Sequence, residues 1–475
     1  MKKFLLAALL AAVSSSALAA DPQATNPPRS KNELRAREIF ARIIGFKTSV
    51  GLGNVPAMAN YLADQFRAAG FAESDIHVLP LGETASLVVR YRGDGTGGKP
   101  IALMSHMDVV TAKPEDWQRD PFTLVEESGY FFGRGTSDIK NGVAVLTATF
   151  LRLKSENFKP TRDLIILFSG DEETTGATAQ DLVNNHRDLI DAEYALNSDG
   201  GGGDLDDNGK PLTYGVQAAE KTYASFELTV RNPGGHSSWP RKDNAIYELA
   251  DALKRTQAYQ FPVSSNEITL ASFRAAGKAT AGPVGEAMTR FANDPGDDSA
   301  IAVLSAEPSQ VGLIRTTCIP TLLRGGHADN ALPQSATATL NCRIFPGVAV
   351  KDVQQTLHDL VGKNVEVVSI GAPMASDASP LRADVMAAVT KAVHANYPGT
   401  PVVPSQAAGA TDGLYLRAGG IPTYGVSGML MKQRDSFAHG LNERIPVQGF
   451  YNELTHWHIL LTELAGLGSA GAGKP

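Results

Sequence analysis

The stretch Asp163-Leu-Ile-Ile-Leu-Phe-Ser-Gly-Asp-Glu-Glu173 decides how the rest of the chain is read. Its apolar run is short, continuous and closed by Ser-Gly-Asp, which describes a strand buried on both faces. The two glutamates then fall just past the carboxyl end of that strand, where open α/β sheets bind their ligands. Working outward, His106-Met-Asp108 follows a strand-like segment at 100–105, and Asp199 follows another at 192–197. Helical periodicity lies between them, at 141–154 before the quoted strand and at 178–184 after it. Alternation of this kind predicts an α/β sheet covered on both faces.

Toward the N-terminus, helical periodicity begins near Leu34 and recurs over 56–70, with strands at 77–81 and 86–91. Gly93-Asp-Gly-Thr-Gly-Gly98 satisfies G-x-G-x-x-G, but a strand follows it where a dinucleotide site needs a helix. It reads as a hairpin turn. Near Ala218 the pattern changes: a half-exposed strand at 222–230, a helix at 243–258, and a glycine-, alanine- and aspartate-rich stretch at 275–300 with no element assigned. Two cysteine-bearing strands at 313–323 and 335–345, a helix at 352–360 and a strand at 365–370 complete a compact α+β unit. The α/β pattern resumes with a helix at 383–395, a strand at 423–426 and a final helix at 448–465. These segments predict a second domain, 218–372, inserted into a catalytic domain formed by 20–217 and 373–465. Residues 466–475 read as a disordered tail.

At 475 residues, two domains are the natural expectation. The net charge of −7 offers nothing to nucleic acid. Lys2-Lys3, the apolar stretch from Phe4 to Val13 and Ala17-Leu-Ala19 form a secretory signal peptide, 1–19, too short to span a membrane. The mature chain, with a polar leader at 21–33, is expected in the periplasm or the medium, with no membrane attachment. Its two cysteines, Cys318 and Cys342, are equidistant from Asn330 in the turn between their strands. A hairpin in that register would set them opposite each other, as a disulfide or as two buried thiols.

The chemistry lies in a spaced series: His106, Asp108, Asp138, Glu172, Glu173, Asp199 and His439. Imidazoles and carboxylates suit zinc, and one carboxylate is left to move a proton. His106 and Asp108 are two apart, so the acid can orient the imidazole by accepting its second N–H. Asp138 precedes a helix and could equally be a cap. Glu172 and Glu173 point to opposite sides if strand geometry persists, one toward metal and one toward water. No G-x-S-x-G elbow supports a serine hydrolase.

Taken together, Ser105-His-Met-Asp-Val-Val110, Gly133-Arg-Gly-Thr-Ser-Asp138, Ser169-Gly-Asp-Glu-Glu-Thr-Thr-Gly176, Asn197-Ser-Asp-Gly-Gly201, Gly234-Gly-His-Ser-Ser238, Asn341-Cys-Arg-Ile-Phe-Pro-Gly347 and Ala438-His-Gly440 carry a resemblance. The chain resembles the aminoacylase, glutamate carboxypeptidase and carboxypeptidase S group of dinuclear zinc metallopeptidases, and looks most like the carboxypeptidase S branch. The resemblance implies a zinc exopeptidase-like catalytic domain with a mixed, largely parallel sheet and an inserted lid and dimerisation domain. It implies two zinc ions, replaceable by cobalt or manganese. His106, Asp138 and Asp199 would hold one, and Asp138, Glu173 and His439 the other. Glu172 would be the general base and Asp108 the partner of His106. His236 would stabilise the oxyanion across a homodimer interface, while Arg343 and Asn330 would contact substrate. The implied reaction is hydrolysis of an amide beside a free carboxylate, in a peptide or an N-acyl amino acid, by a metal-activated water. An aminopeptidase, a carbamoyl-type amidohydrolase and a non-catalytic zinc-binding protein are the alternatives. Relatives often join the bridging Asp to Asp or Met through a cis peptide; the β-branched Ile139 here leaves that geometry open.

Overall fold

The computed structural model describes residues 28–466, apart from 376 and 436. The signal peptide and most of the tail therefore lie outside the described residues. Strand Leu164–Ser169 is fully buried, and its side chains alternate between two cores. Leu164, Ile166 and Phe168 enter one apolar cluster, and Ile165 and Leu167 the other. Strand Ile101–His106 divides in the same way, with Ile101 and Leu103 on one side and Ala102 and Met104 on the other. A strand with two buried faces requires helices above and below it, and both layers are present. Helices Lys31–Ile44, Val55–Ala68, Lys140–Ser155, Ala383–Asn396 and Val447–Ala465 cover the first face; Ala177–Asn185 and Gly413–Ala418 cover the second.

The large sheet is mixed. Its centre, Leu164–Ser169, Ile101–His106, Tyr194–Asn197 and Thr423–Gly425, is parallel, and Thr84–Tyr91 and Ile76–Leu81 extend it antiparallel. Strand Leu164–Ser169 therefore separates Thr84–Tyr91 from Ile101–His106, and the glycine loop at 93–98 is not a hairpin turn. It packs against 160–163 instead: a Cβ on Gly93 would stand 2.4 Å from the Arg162 backbone. The first helix begins at Lys31, inside the span read as a leader, because Ser30 and Glu33 form a reciprocal capping box.

A second, antiparallel sheet orders Thr317–Gly325, Ser335–Ile344, Thr222–Arg231 and Val365–Ile370, with helices Ala245–Ala258 and Val350–Val361 packed on it. Cys318 and Cys342 are direct cross-strand partners and form a disulfide. The stretch at 275–300, left without elements above, is helical. Helices Glu267–Ala279, Pro283–Asn293, Asp298–Ala306 and Pro308–Ile314 share a small core around Phe273 and Phe291. Its glycines mark close approach, not irregular chain. A Cβ on Gly285 would lie 1.9 Å from the Thr280 carbonyl oxygen, and one on Gly277 would lie 2.9 Å from that of Gly285. Gly285→Ala is therefore expected to cost about 1–3 kcal/mol of stability through overpacking. Thermal unfolding would read this as a lower midpoint, with bound metal per chain unchanged.

Candidate metal centre

Three loops at the carboxyl edge of the large sheet bring the acids together, and each loop is shaped by hydrogen bonds to its own backbone. After strand Leu164–Ser169 the chain enters a turn, so the expected strand alternation does not reach Glu172 and Glu173. Asp171 sets that turn: its carboxylate accepts from Ala177 N at 2.8 Å and Thr178 N at 2.9 Å. Asp108 then accepts from Glu172 N at 3.1 Å and Glu173 N at 3.0 Å. Its carboxylate lies 3.4 Å from His106 Nδ1, which also contacts the Asp108 carbonyl oxygen at 3.1 Å. One buried acid thus orients both the imidazole and the two glutamates.

The remaining side chains converge. His106 Nε2 lies 3.1 Å from Asp138 Oδ1, 3.8 Å from Asp199 Oδ2 and 3.9 Å from Glu172 Oε2. His439 Nε2 lies 3.0 Å from Asp138 Oδ2 and 2.9 Å from Glu173 Oε2. Asp138 therefore offers one oxygen to each imidazole, the arrangement a bridging carboxylate requires. The Asp138–Ile139 peptide is cis, which settles the geometry that Ile139 left open. His439 has a left-handed backbone, φ 64°, unusual outside glycine and common where function constrains the chain. Donor atoms of His106, Asp138 and Glu173 form one group able to hold a metal, and those of His106, Glu172 and Asp199 form another. Glu172 stands among the donors as well as beside them.

Charge tests whether metal fits. Four carboxylates meet two imidazoles here, and no Lys or Arg pairs with any of the four among the described residues. Burial, with Asp412, Glu173 and Asp138 adding repulsion, pushes Glu172 up to about 8. Burial also lifts Asp199 well above the carboxylate range. Hydrogen bonds to Asp138 raise His439 to about 9. Burial opposes charging of His106, yet bonds to Asp108 and Asp138 outweigh it and hold its pKa high. Anions crowded this way call for divalent cations, and the oxygen and nitrogen donors suit zinc.

Several supporting residues carry no signal in the motif reading. Glu443, fully buried, accepts from Ser137 N at 2.7 Å, Asp138 N at 3.1 Å and Gly135 N at 3.2 Å. It pairs with Arg134 Nη1 at 2.5 Å, and Arg134 Nη2 donates to the His439 carbonyl at 3.3 Å. This buried pair ties the loop of Asp138 to the loop of His439. Lys140 donates to the carbonyls of Ile43 and Phe46 at the end of the first helix, and burial pushes it down to about 7. Asp412, just before helix Gly413–Ala418, is raised to about 7 by burial.

The other expected residues stand apart from this cluster. His236 is exposed on a two-stranded ribbon with Ala331–Leu332, its Nδ1 2.7 Å from Ser238 Oγ. Asn330 lies beside it, accepting from Ser237 N at 3.0 Å through its carbonyl. Arg343 stacks on Tyr223 at 4.7 Å and donates to the Ala408 carbonyl at 3.4 Å. It meets no carboxylate among the described residues.

Residues 102–463 match the description "Peptidase family M20/M25/M40". The chain belongs to that family. It is therefore a hydrolase of amide bonds, and its M20 relatives include two kinds of enzyme. The N-fatty-acyl-amino acid synthase/hydrolase PM20D1 of Xenopus tropicalis is 29% identical over 73% of this chain and 69% of its own. The probable carboxypeptidase S-like 2 of Dictyostelium discoideum is 30% identical over 56% of this chain and 52% of its own. The M20 metallo-carboxypeptidase Sso-CP2 of Sulfolobus solfataricus superposes with a TM-score of 0.70 at 20% identity, covering 90% of this chain and 99% of that one. No helix among the described residues is long and apolar enough to cross a membrane.

Two outcomes follow for the centre. The raised acids and imidazoles all bind more protons folded than unfolded, so the contribution of this centre to the stability of the metal-free chain should fall as pH rises from about 4.5, the ordinary value for Glu172, to about 9, where His439 titrates. Added zinc should flatten that dependence, as read by denaturant unfolding across the range. Glu443→Gln leaves Arg134 buried without an anion; it should cost about 3–5 kcal/mol and reduce the metal retained after gel filtration.

Proposed function

We propose that this chain hydrolyses the amide bond beside a free carboxylate, in N-acyl amino acids or small peptides, using two zinc ions. The observation that carries the reading is the carboxylate cluster: Asp138, Glu172, Glu173 and Asp199 converge on His106 and His439, and among the described residues no Lys or Arg pairs with any of the four. His106, Asp138 and Asp199 would hold one ion, and Asp138, Glu173 and His439 the other. When bound, the ions would polarise the scissile carbonyl and acidify water. Cobalt or manganese could take their place.

Within that frame the chain's own groups divide the work. Glu172, its carboxylate turned toward the cluster at 3.9 Å from His106 Nε2, takes a proton from the attacking water and returns it to the leaving nitrogen. Asp108 fixes the base by gripping its backbone N–H. Arg343, a cation with a planar fork and no carboxylate of its own, receives the substrate's terminal carboxylate. His236 and Asn330 share one ribbon and act together from a second copy of the chain, His236 donating to the developing oxyanion and Asn330 contacting substrate. Segment 218–372 serves as lid and dimerisation unit. Its edge strand Thr317–Gly325 exposes Leu322 and Leu323, and Ile246 and Tyr247 are exposed on the adjoining helix. Relatives acting on N-fatty-acyl amino acids support an acylated amino acid as substrate, and the amino-terminal sequence supports export.

Glu172→Gln should abolish turnover of N-acyl amino acids and dipeptides while zinc content stays near two ions per chain. Wild-type turnover should vanish with chelator and return with zinc. Activity retained in the variant, or indifferent to chelator, would remove this mechanism; a substrate with an amidated carboxylate hydrolysed equally well would remove the Arg343 assignment.

A further inference from the structure

A cavity of about 570 Å³ lies away from the metal centre, between helices Ala245–Ala258, Pro308–Ile314 and Val350–Val361 and strand Thr317–Gly325. None of the metal-centre residues lines it. Its walls are mainly apolar, formed by Leu253, Phe261, Val311, Ile319, Leu357 and Leu360. The size falls within the roughly 300–1,000 Å³ of small-molecule sites.

One wall is positively charged. Arg315 lines the cavity and is 6% exposed. Its Nη1 donates to Gln260 Oε1 and the Phe261 carbonyl, and its Nη2 to Ser305 Oγ, all neutral acceptors. The Nε–H has no partner. No carboxylate pairs with this guanidinium among the described residues, and burial alone draws its pKa down. Behind it, outside the lining, Lys221 Nζ donates to the Arg315 carbonyl at 2.9 Å and Thr317 Oγ1 at 3.3 Å, and burial draws this amine down to about 7. Lys254, exposed on helix Ala245–Ala258, adds the second positive charge of the lining. Buried charge is ordinarily matched by a counter-ion, and among the described residues none pairs with Arg315.

We propose that this cavity binds a carboxylate carrying a flexible apolar tail, its head drawn to Arg315 and Lys254 and its tail lying along Leu253, Leu357 and Leu360. An arginine suits a carboxylate head better than a lysine alone, because its donors form a planar fork. The site differs from the substrate carboxylate position assigned to Arg343 and does not depend on that assignment.

The test is calorimetric titration of the mature, zinc-loaded protein with sodium octanoate and, separately, with octan-1-ol. Octanoate should bind once per chain and at least tenfold more tightly than the alcohol. Leu360→Trp, which fills the cavity, should weaken octanoate tenfold or more while hydrolysis of an N-acetyl amino acid is unchanged. Arg315→Gln should bring octanoate down to the affinity of the alcohol. If that variant does not fold, Lys254→Glu at the same wall should lower octanoate affinity and spare the alcohol. Octanoate binding undisturbed by Leu360→Trp would place the ligand elsewhere, including at the metal centre. Equal affinity for octanoate and octanol in the wild type would remove the role of Arg315. Either result overturns the proposal.

Discussion

Like charges must be held together before this protein can do anything, and acids that face away from the centre do the holding. Asp171 grips the turn after strand Leu164–Ser169, Asp108 grips the backbone of Glu172 and Glu173, and Glu443 grips the loop that ends in Asp138. Each uses its carboxylate to accept backbone N–H groups, which cost nothing to provide because loops leave them unpaired. The repulsion among Asp138, Glu172, Glu173 and Asp199 is thereby borne by hydrogen bonds distributed over three loops. Pairing those acids with lysines or arginines would have relieved the same strain and filled the space that cations need.

The sheet's centre was legible because a strand buried on both sides has to be apolar at every position, as 164–168 is. Its antiparallel strands at 76–81 and 84–91 were legible as well, but two strands on the far side were not. Gly202–Leu205 and Val402–Ala407 are short or broken by polar residues, since each has only part of its surface against the core. The helices between 267 and 314 were hidden for a different reason. Their contacts rely on Gly277, Gly285 and small neighbours that let backbones approach, and that composition is shared with irregular chain. The paired cysteines could be set opposite each other by counting, yet only the strands' actual register decides that they bond.

Three of the candidate metal donors were readable by position, because His106 ends a strand, Asp199 closely follows one and Asp138 precedes a helix; His439, in the loop before strand Arg444–Pro446, stands outside that pattern. Glu443 carries no such marker. Its partner Ser137 is 306 positions away, and a contact of that span leaves no local pattern. Asp412 is hidden in the same way, a helix-preceding acid whose neighbours are brought to it only by folding.

The pairing of His439 with Glu173 spans 266 positions. The sheet's first strands can therefore assemble during synthesis while the cluster at their edge still lacks its closing imidazole. The full set of donors is present only once the segment carrying His439 has wrapped back onto the loop of Glu173. A chain cut short of His439 would keep the central strands of the sheet and lose one of the two imidazoles that face Asp138.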